Sequence, residues 1–259
     1  MLPQVRGQHR VQIILDAIIG PAKLRARRNI RLEGFYSSIQ DMAFLRPVSE
    51  NPLLEDLICG LHPSAAFVDC GSNCGFYSAL ASSVFDERGM IISIEPSPRE
   101  YKRLLYARDS NVSQCQWITV NCALGTTEGV ALIDSSVGHT GMNQIARLSS
   151  SEKIKSRFRK NIPVLIDRLD RILTSTMSGR SLIDLIKIDV EGYELQVLRG
   201  LLGHLQAKRI LKLVIEITDS YLKQNGDSKE MLFDFMNEQG YQPTVHSSEW
   251  QYDELFVLK

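Results

Sequence analysis

The sequence predicts an α/β domain whose parallel sheet is covered on both faces by helices. Three observations predict it: strand-like and helix-like stretches alternate from Asn51 onward, the stretch FVDCGSNCGFYS (Phe67 to Ser78) puts a glycine-bearing turn between an apolar run and a helix, and Glu95 ends the next strand 24 residues beyond Gly71. Alternation of this kind gives parallel strands joined by crossover helices. In such sheets ligands bind beyond the carboxyl ends of the strands, where the strand order reverses.

The elements follow in order. Residues 1 to 60 read as an N-terminal helical extension or cap, ahead of the main domain over 61 to 259. Within that extension VQIILDAIIG (Val11 to Gly20) is an amphipathic helix with Ile14, Leu15, Ile18 and Ile19 on one face; packing on the domain is the simpler account, and weak peripheral contact with a membrane the sharper one. It is about half the length needed to cross a bilayer. NPLLEDLICG is a second helix, with Asn51 as cap, Pro52 in the first turn and Gly60 as stop. Strand 65 to 69, a helix over 75 to 86 and strand Met90 to Glu95 come next, and Ser97 with Glu100 forms a capping box opening a helix through Arg108. QWITVN, LIKID and LKLVIEI are later strands, with a single helix from Tyr193 to Leu205, another from Lys229 to Glu238, and a closing strand ELFVLK. Between GVALI and IPVLI, residues 134 to 161 read as a long loop, and connections of that length are usually functional.

Lys plus Arg is 30 and Asp plus Glu is 30, so no global charge draws the chain toward nucleic acid or membrane. Basic residues cluster locally, up to Arg31 and in KIKSRFRK (Lys153 to Lys160), where a solvated face is the simpler account. Five cysteines with no C-x-x-C pair fit a reduced, cytoplasmic setting and no zinc framework.

At the strand ends the chemistry concentrates. The turn Gly71-Ser72-Asn73-Cys74-Gly75 lets a ligand approach the backbone, and Glu95 stands where an acid accepts hydrogen bonds from ribose hydroxyls. Dinucleotide sites place G-x-G-x-x-G here, which this turn lacks. Asp69 before the turn suits an ammonium instead, and S-adenosylmethionine carries an ammonium, a carboxylate and a ribose.

FVDCGSNCGFYS, ISIEPSPREYKRL, VNCALG, RLDRI, LIKIDVEGYELQVLRG and LVIEI together resemble the FkbM family of class I S-adenosylmethionine-dependent methyltransferases, from about Phe67 to Ile217, with KIDVEGYE the most specific. The resemblance implies a Rossmann-like seven-stranded sheet and methyl transfer, usually to a hydroxyl on a saccharide or natural-product acceptor. It also implies that Asp69, Gly71, Ser72, Asn73 and Gly75, with Asp189, meet the methionine part, Glu95 and Pro96 the ribose side, and Asn121, Ala123 and Leu124 the adenine.

A hydroxyl attacking a sulfonium methyl needs its proton removed or its oxygen polarised. Asp189 ends LIKID, and period-two alternation puts Lys187 and Asp189 on one face, with Glu216 reachable from the next strand. One account makes Asp189 the general base with Glu216 holding Lys187; another makes Asp189 and Glu216 ligands of Mg²⁺. Glu191 belongs to the site and Glu194 to the helix start, while His139 in the long loop is a candidate base or substrate ligand. Rival readings are an RNA ribose 2′-O-methyltransferase, disfavoured because Glu216 stands where a lysine is expected, a non-catalytic cofactor-binding module, and a dehydrogenase.

Overall fold

A computed structural model of the chain describes residues 22–25, 30–34, 51–111, 113–136, 145–146, 159–245, 247 and 249–259. The amphipathic segment 11 to 20 and His139 lie outside the described residues, as does most of KIKSRFRK.

The elements are β1 (Ala22–Arg25), β2 (Arg31–Gly34), α1 (Pro52–Cys59), β3 (Ala66–Cys70), α2 (Phe76–Ser82), β4 (Met90–Ile94), α3 (Pro98–Ser110), β5 (Gln116–Val120), β6 (Ala123–Leu124), β7 (Gly129–Ser136), β8 (Ile145–Ala146), β9 (Arg159–Asp167), α4 (Leu169–Thr176), β10 (Leu185–Ile188), α5 (Glu194–Arg199), α6 (Leu202–Gln206), β11 (Lys212–Thr218), α7 (Asp219–Gln224), α8 (Lys229–Glu238), β12 (Tyr241–Pro243) and β13 (Gln251–Leu258). The main sheet has seven strands in the order β12-β13-β11-β10-β3-β4-β5, parallel except for β13, which runs antiparallel to both neighbours. The chain moves outward from β3 through β4 to β5, then returns to lay β10 on the other side of β3. The order therefore reverses between β3 and β10, and the crevice beyond their carboxyl ends is the switch point.

Alternation along the strands divides the core. Val68, Ile92, Ile188 and Ile215 face one cluster, closed by Leu173, Leu195 and Met236 from the helices on that side. Phe67, Ile91, Leu185 and Val214 face another, closed by Leu54 and Ile58 of α1 and by Phe76 and Leu80 of α2. All eight strand side chains are fully or almost fully buried, worth about 2 kcal/mol each for the area removed from water. Toward the carboxyl edge the second face turns polar, with Ser93, Asp69 and Lys187 side by side in register.

Several expectations are revised. The capping box does not form: Ser97 makes no side-chain cap bond, and Glu100 pairs with the buried Arg103 instead. The helix expected over 75 to 86 ends at Ser82. The single helix from Tyr193 to Leu205 is two: the Asp170 carboxylate accepts hydrogen bonds from the N–H groups of Gly203 and His204 at the start of α6, and at the break Gly200 packs so close to the Gly125 carbonyl oxygen that a Cβ would sit 2.2 Å from it. Nor is 134 to 161 wholly loop. β7 runs on to Ser136, β9 begins at Arg159, and β8 returns to pair with Leu132 and Ile133, making a second sheet in the order β6-β9-β7-β8. Near the amino terminus, β1 and β2 form an antiparallel pair that the helical reading of 1 to 60 did not foresee. Its Arg31 exchanges two hydrogen bonds with the Asn111 side chain, docking β2 beside α3. Helix α1 is as expected, with the Asn51 side chain accepting from Leu54 N–H at 2.8 Å. No helix among the described residues is long and apolar enough to cross a membrane.

Candidate active site

At the switch point the turn after β3 is held in a shape few residues adopt. Gly71, Asn73 and Gly75 all have positive φ, at 77°, 49° and 85°. Gly71 is needed for a further reason: a Cβ there would lie 1.8 Å from the Asp189 carbonyl oxygen, while one at Gly75 would lie 2.8 Å from Leu104 of α3. The bare backbone is thus demanded first by the protein's own packing. The Ser72 hydroxyl donates to the Asp69 carbonyl at 2.7 Å, closing the turn on β3.

Glu95 ties that turn to the next strand. One carboxylate oxygen accepts from Asn73 N–H at 2.9 Å and the other from Ser97 N–H at 2.8 Å. Burial outweighs those bonds and pushes its carboxyl up to about 8. The Asn121 amide donates to the carbonyls of Glu95 and Pro96 at 2.7 and 3.1 Å. Asn121 is exposed, whereas Ala123 and Leu124 are buried in core clusters.

Behind the turn runs a chain of polar contacts that only partly matches the sequence reading. Trp117 donates to the Ser93 hydroxyl at 2.8 Å, Ser93 and Ser78 share a hydrogen bond at 2.7 Å, and Ser78 donates to Asp69 Oδ2 at 2.6 Å. The other Asp69 oxygen is 3.6 Å from Lys187 Nζ, which also lies 3.1 Å from Asp189 Oδ2 and donates to the Gly71 carbonyl at 3.0 Å. Asp69 is fully buried, so it supports the turn from behind, and burial raises its carboxyl. Burial also works against the Lys187 charge, but Asp189 and Asp69 more than offset it and the ammonium is held above its usual pKa.

One expected pairing is corrected. Lys187 bonds to Asp69 and Asp189, not to Glu216. Register explains it: Lys187 stands directly opposite Asp69 across β3 and β10, whereas its partner on β11 is Val214. Glu216 instead accepts from the Gln251 side chain at 2.7 Å and stands opposite Asp253 on β13. Burial, then Asp189 and Glu191, push the Glu216 carboxyl up to about 10. Glu191, in a left-handed conformation with φ 56°, is pushed to about 9 by burial and by Asp189. Glu194 is structural, accepting from the N–H groups of Val190 and Gly192. Among the described residues no group of three or more His, Cys, Asp or Glu side chains could hold a metal ion, so the Mg²⁺ account finds no ligand set there.

Beyond Lys187 and Asp189 opens a cavity of about 480 Å³. Tyr77, Asp189, Glu216, Gln251 and Asp253 line it, with Asn51 and Trp250 at its border. Asn51 donates to Asp253 at 2.6 Å, and burial pushes the Asp253 carboxyl up to about 6. Trp250 is 65% exposed. Sequence reading singled out none of Tyr77, Trp250, Gln251 and Asp253 for the site and gave Asn51 only as a helix cap. The available signal was alternation in QYDEL, which puts Gln251 and Asp253 opposite the buried Tyr252 and Glu254.

A family model described as the methyltransferase FkbM domain matches residues 69–243. Among solved structures, the precorrin-6y C5,15-methyltransferase of Geobacter metallireducens is similar at 11% identity and TM-score 0.45, over 82% of this chain and 90% of that one. Fibrillarin of Aeropyrum pernix, solved with natively bound S-adenosyl-L-methionine, is similar at 12% identity and TM-score 0.42, over 93% of this chain and 82% of that one. At such scores and identities neither likeness bears on what this chain does. No curated protein matches.

Proposed function

The chain belongs to the FkbM methyltransferase family, and we propose that it transfers a methyl group from S-adenosylmethionine to a hydroxyl oxygen of a saccharide or related natural-product acceptor. The observation that carries this reading is the meeting, at Asp189, of the switch-point turn and an open acidic cavity on one face of the sheet. The residues present fit the cofactor. Each oxygen of Glu95 has a lone pair left after its backbone bond, suited to ribose hydroxyls. The Ser97 hydroxyl beside it is buried with no hydrogen-bond partner among the described residues, an acceptor and donor awaiting a ligand.

When bound, S-adenosylmethionine supplies an electrophilic methyl group on a sulfonium. Gly71, Ser72, Asn73 and Gly75 receive its methionine end, with Asp69 bracing them, and Pro96 and Asn121, backed by Ala123 and Leu124, border the base. Lys187 fixes one oxygen of Asp189, leaving Oδ1 to accept the proton of the acceptor hydroxyl. Glu216 and Asp253 line the cavity with Glu191 close to Glu216, and the Glu191 and Glu216 carboxyls, raised by burial and by Asp189, keep their protons at neutral pH and so can donate hydrogen bonds to acceptor hydroxyls. Trp250 offers an exposed aromatic face, and the carboxylates and amides around it offer hydrogen bonds, the combination that holds a sugar ring. Residues 61 to 259 form the transferase domain in this reading, in the cytoplasm, with residues up to 60 contributing Asn51. His139 stays a candidate for the acceptor side.

Calorimetric titration with S-adenosylmethionine, with NAD as control, tests the cofactor. Transfer of tritiated methyl to a panel of saccharides, with RNA as control, tests the acceptor. Micromolar binding of the first alone and label on sugar hydroxyls are expected. Binding of NAD, or label on RNA, would overturn the assignment.

A further inference from the structure

A second cavity, of about 90 Å³, lies at the opposite edge of the sheet, lined by Thr174, Arg180, Ser181, His204 and Arg209 over the buried Ile183. Two segments are fixed side by side to make it. Ile183 N–H donates to the Arg209 carbonyl at 2.8 Å and Leu211 N–H donates to the Ile183 carbonyl at 2.9 Å, so Arg180 and Arg209 border the same opening. Arg180 is anchored by a bond from Nη1 to the Ser64 carbonyl at 2.9 Å, leaving the rest of its guanidinium fork unengaged by that bond. Among the described residues no carboxylate pairs with Arg180 or Arg209.

Asp170 accepts from the backbone N–H groups of Gly203 and His204 and holds His204 Nδ1 at 2.5 Å, which fixes the buried imidazole as part of the wall. The lining therefore carries two guanidinium charges, two hydroxyls, an oriented imidazole and no acid. Pockets for drug-sized ligands run to several hundred Å³, about three times this volume or more, so the occupant is a single small group. Planar guanidinium forks and hydroxyls around a small space are the donors that recognise a tetrahedral oxyanion.

From this geometry we infer that the pocket binds a phosphate-type oxyanion. It is separate from the transfer site: Ile183 and Asp189 are six residues apart along an extended strand, about 20 Å at the usual rise. The occupant therefore takes no part in the methyl step. It pins the end of α4 to the starts of β10 and β11, the two strands whose far ends carry Lys187, Asp189 and Glu216.

The test uses the whole chain, titrated with sodium phosphate against sodium chloride at matched ionic strength, and followed by calorimetry and thermal unfolding. A saturable rise in Tm with phosphate alone is expected, with affinity falling about tenfold in Arg209→Ala, the loss of one charge-assisted contact. Arg209 is exposed, so the variant keeps its Tm in chloride and its titration with S-adenosylmethionine. Glycerol phosphate run in parallel separates the sources: equal binding assigns the pocket to phosphorylated small molecules, and exclusion assigns it to free phosphate. No saturable response to phosphate, or a response undiminished in Arg209→Ala, would overturn the inference.

Discussion

The two halves of the proposed transfer site, one for the cofactor and one for the acceptor, are built differently. The cofactor half comes mainly from one stretch of chain, Asp69 to Ser97, in which backbone carbonyls and N–H groups do most of the holding. The acceptor half is assembled from distant pieces, with Asn51 before α1, Tyr77 on α2, Asp189 after β10, Glu216 on β11 and residues 250 to 253 at β13. It is open and lined by side chains. The first is rigid and tolerates little; the second is where a different acceptor can be accommodated without disturbing the fold.

The sharpest way to break that contrast is Gly71→Ala. Its Cβ would meet the Asp189 carbonyl oxygen at 1.8 Å in a left-handed backbone, and the cost, at least about 3 kcal/mol, is expected to abolish cofactor binding and lower Tm by more than ten degrees in a melting experiment. Retained binding with an unchanged melt would show that the turn is not the rigid half. Next in size is Asp189→Asn, expected to leave S-adenosylmethionine affinity within a few-fold while kcat falls by about 10² to 10⁴; equal loss of binding and turnover would merge the two halves.

Acidity offers a third measurement. Glu191, Glu216 and Asp253 have carboxyls raised to about 9, 10 and 6. A raised carboxyl binds its proton more tightly in the folded state, so the stability it contributes is complete below the unfolded value and is lost as pH rises through the folded one. For Glu216 that window runs from 4.5 to about 10. Tm of the ligand-free protein is therefore expected to fall by several degrees across this range, and less in Glu216→Gln; a flat profile would mean that these acids are not buried together. Smallest is Trp250→Ala. The ring is exposed, so stability should stay within about 0.5 kcal/mol, with acceptor KM rising about tenfold and cofactor affinity unchanged. A change in cofactor affinity would place Trp250 in the wrong half.

What was legible in the sequence follows the same division. The turn from Gly71 to Gly75, Glu95, and Lys187 with Asp189 could be read because a motif, a strand end and a glycine all fall within a few residues of one another. Asp69 was legible as a site residue but not in its surroundings: that it is bonded to Ser78 and faces Lys187 depends on strands 24 and 118 residues away, Ser93 and Lys187 being its neighbours in register. Glu216 was assigned to Lys187 by alternation alone, which gives the face of a strand but not which neighbour the side chain leans toward. The acceptor wall escaped because Gln251 and Asp253 reach the site only when β13 inserts antiparallel beside β11, a long-range pairing that no local pattern encodes. The two short helices α5 and α6 were read as one because the groups packed against the break, the Asp170 carboxylate and the Gly125 carbonyl, are both distant in sequence.

That inserted strand has a consequence for biosynthesis. β13 lies between β11 and β12, though it follows both in the chain. While the polypeptide is still emerging from the ribosome, β12 has no partner and β11 presents a bare edge of backbone donors and acceptors. Such an edge invites pairing with other chains until it is covered. A nascent chain stalled before Gln251 would already hold the whole Gly71 to Gly75 turn and so could sequester a cofactor, but it would have no acceptor wall and a sticky edge in its place. Chaperone demand and degradation signals in the cell should therefore concentrate in the short interval before residues 251 to 258 are made.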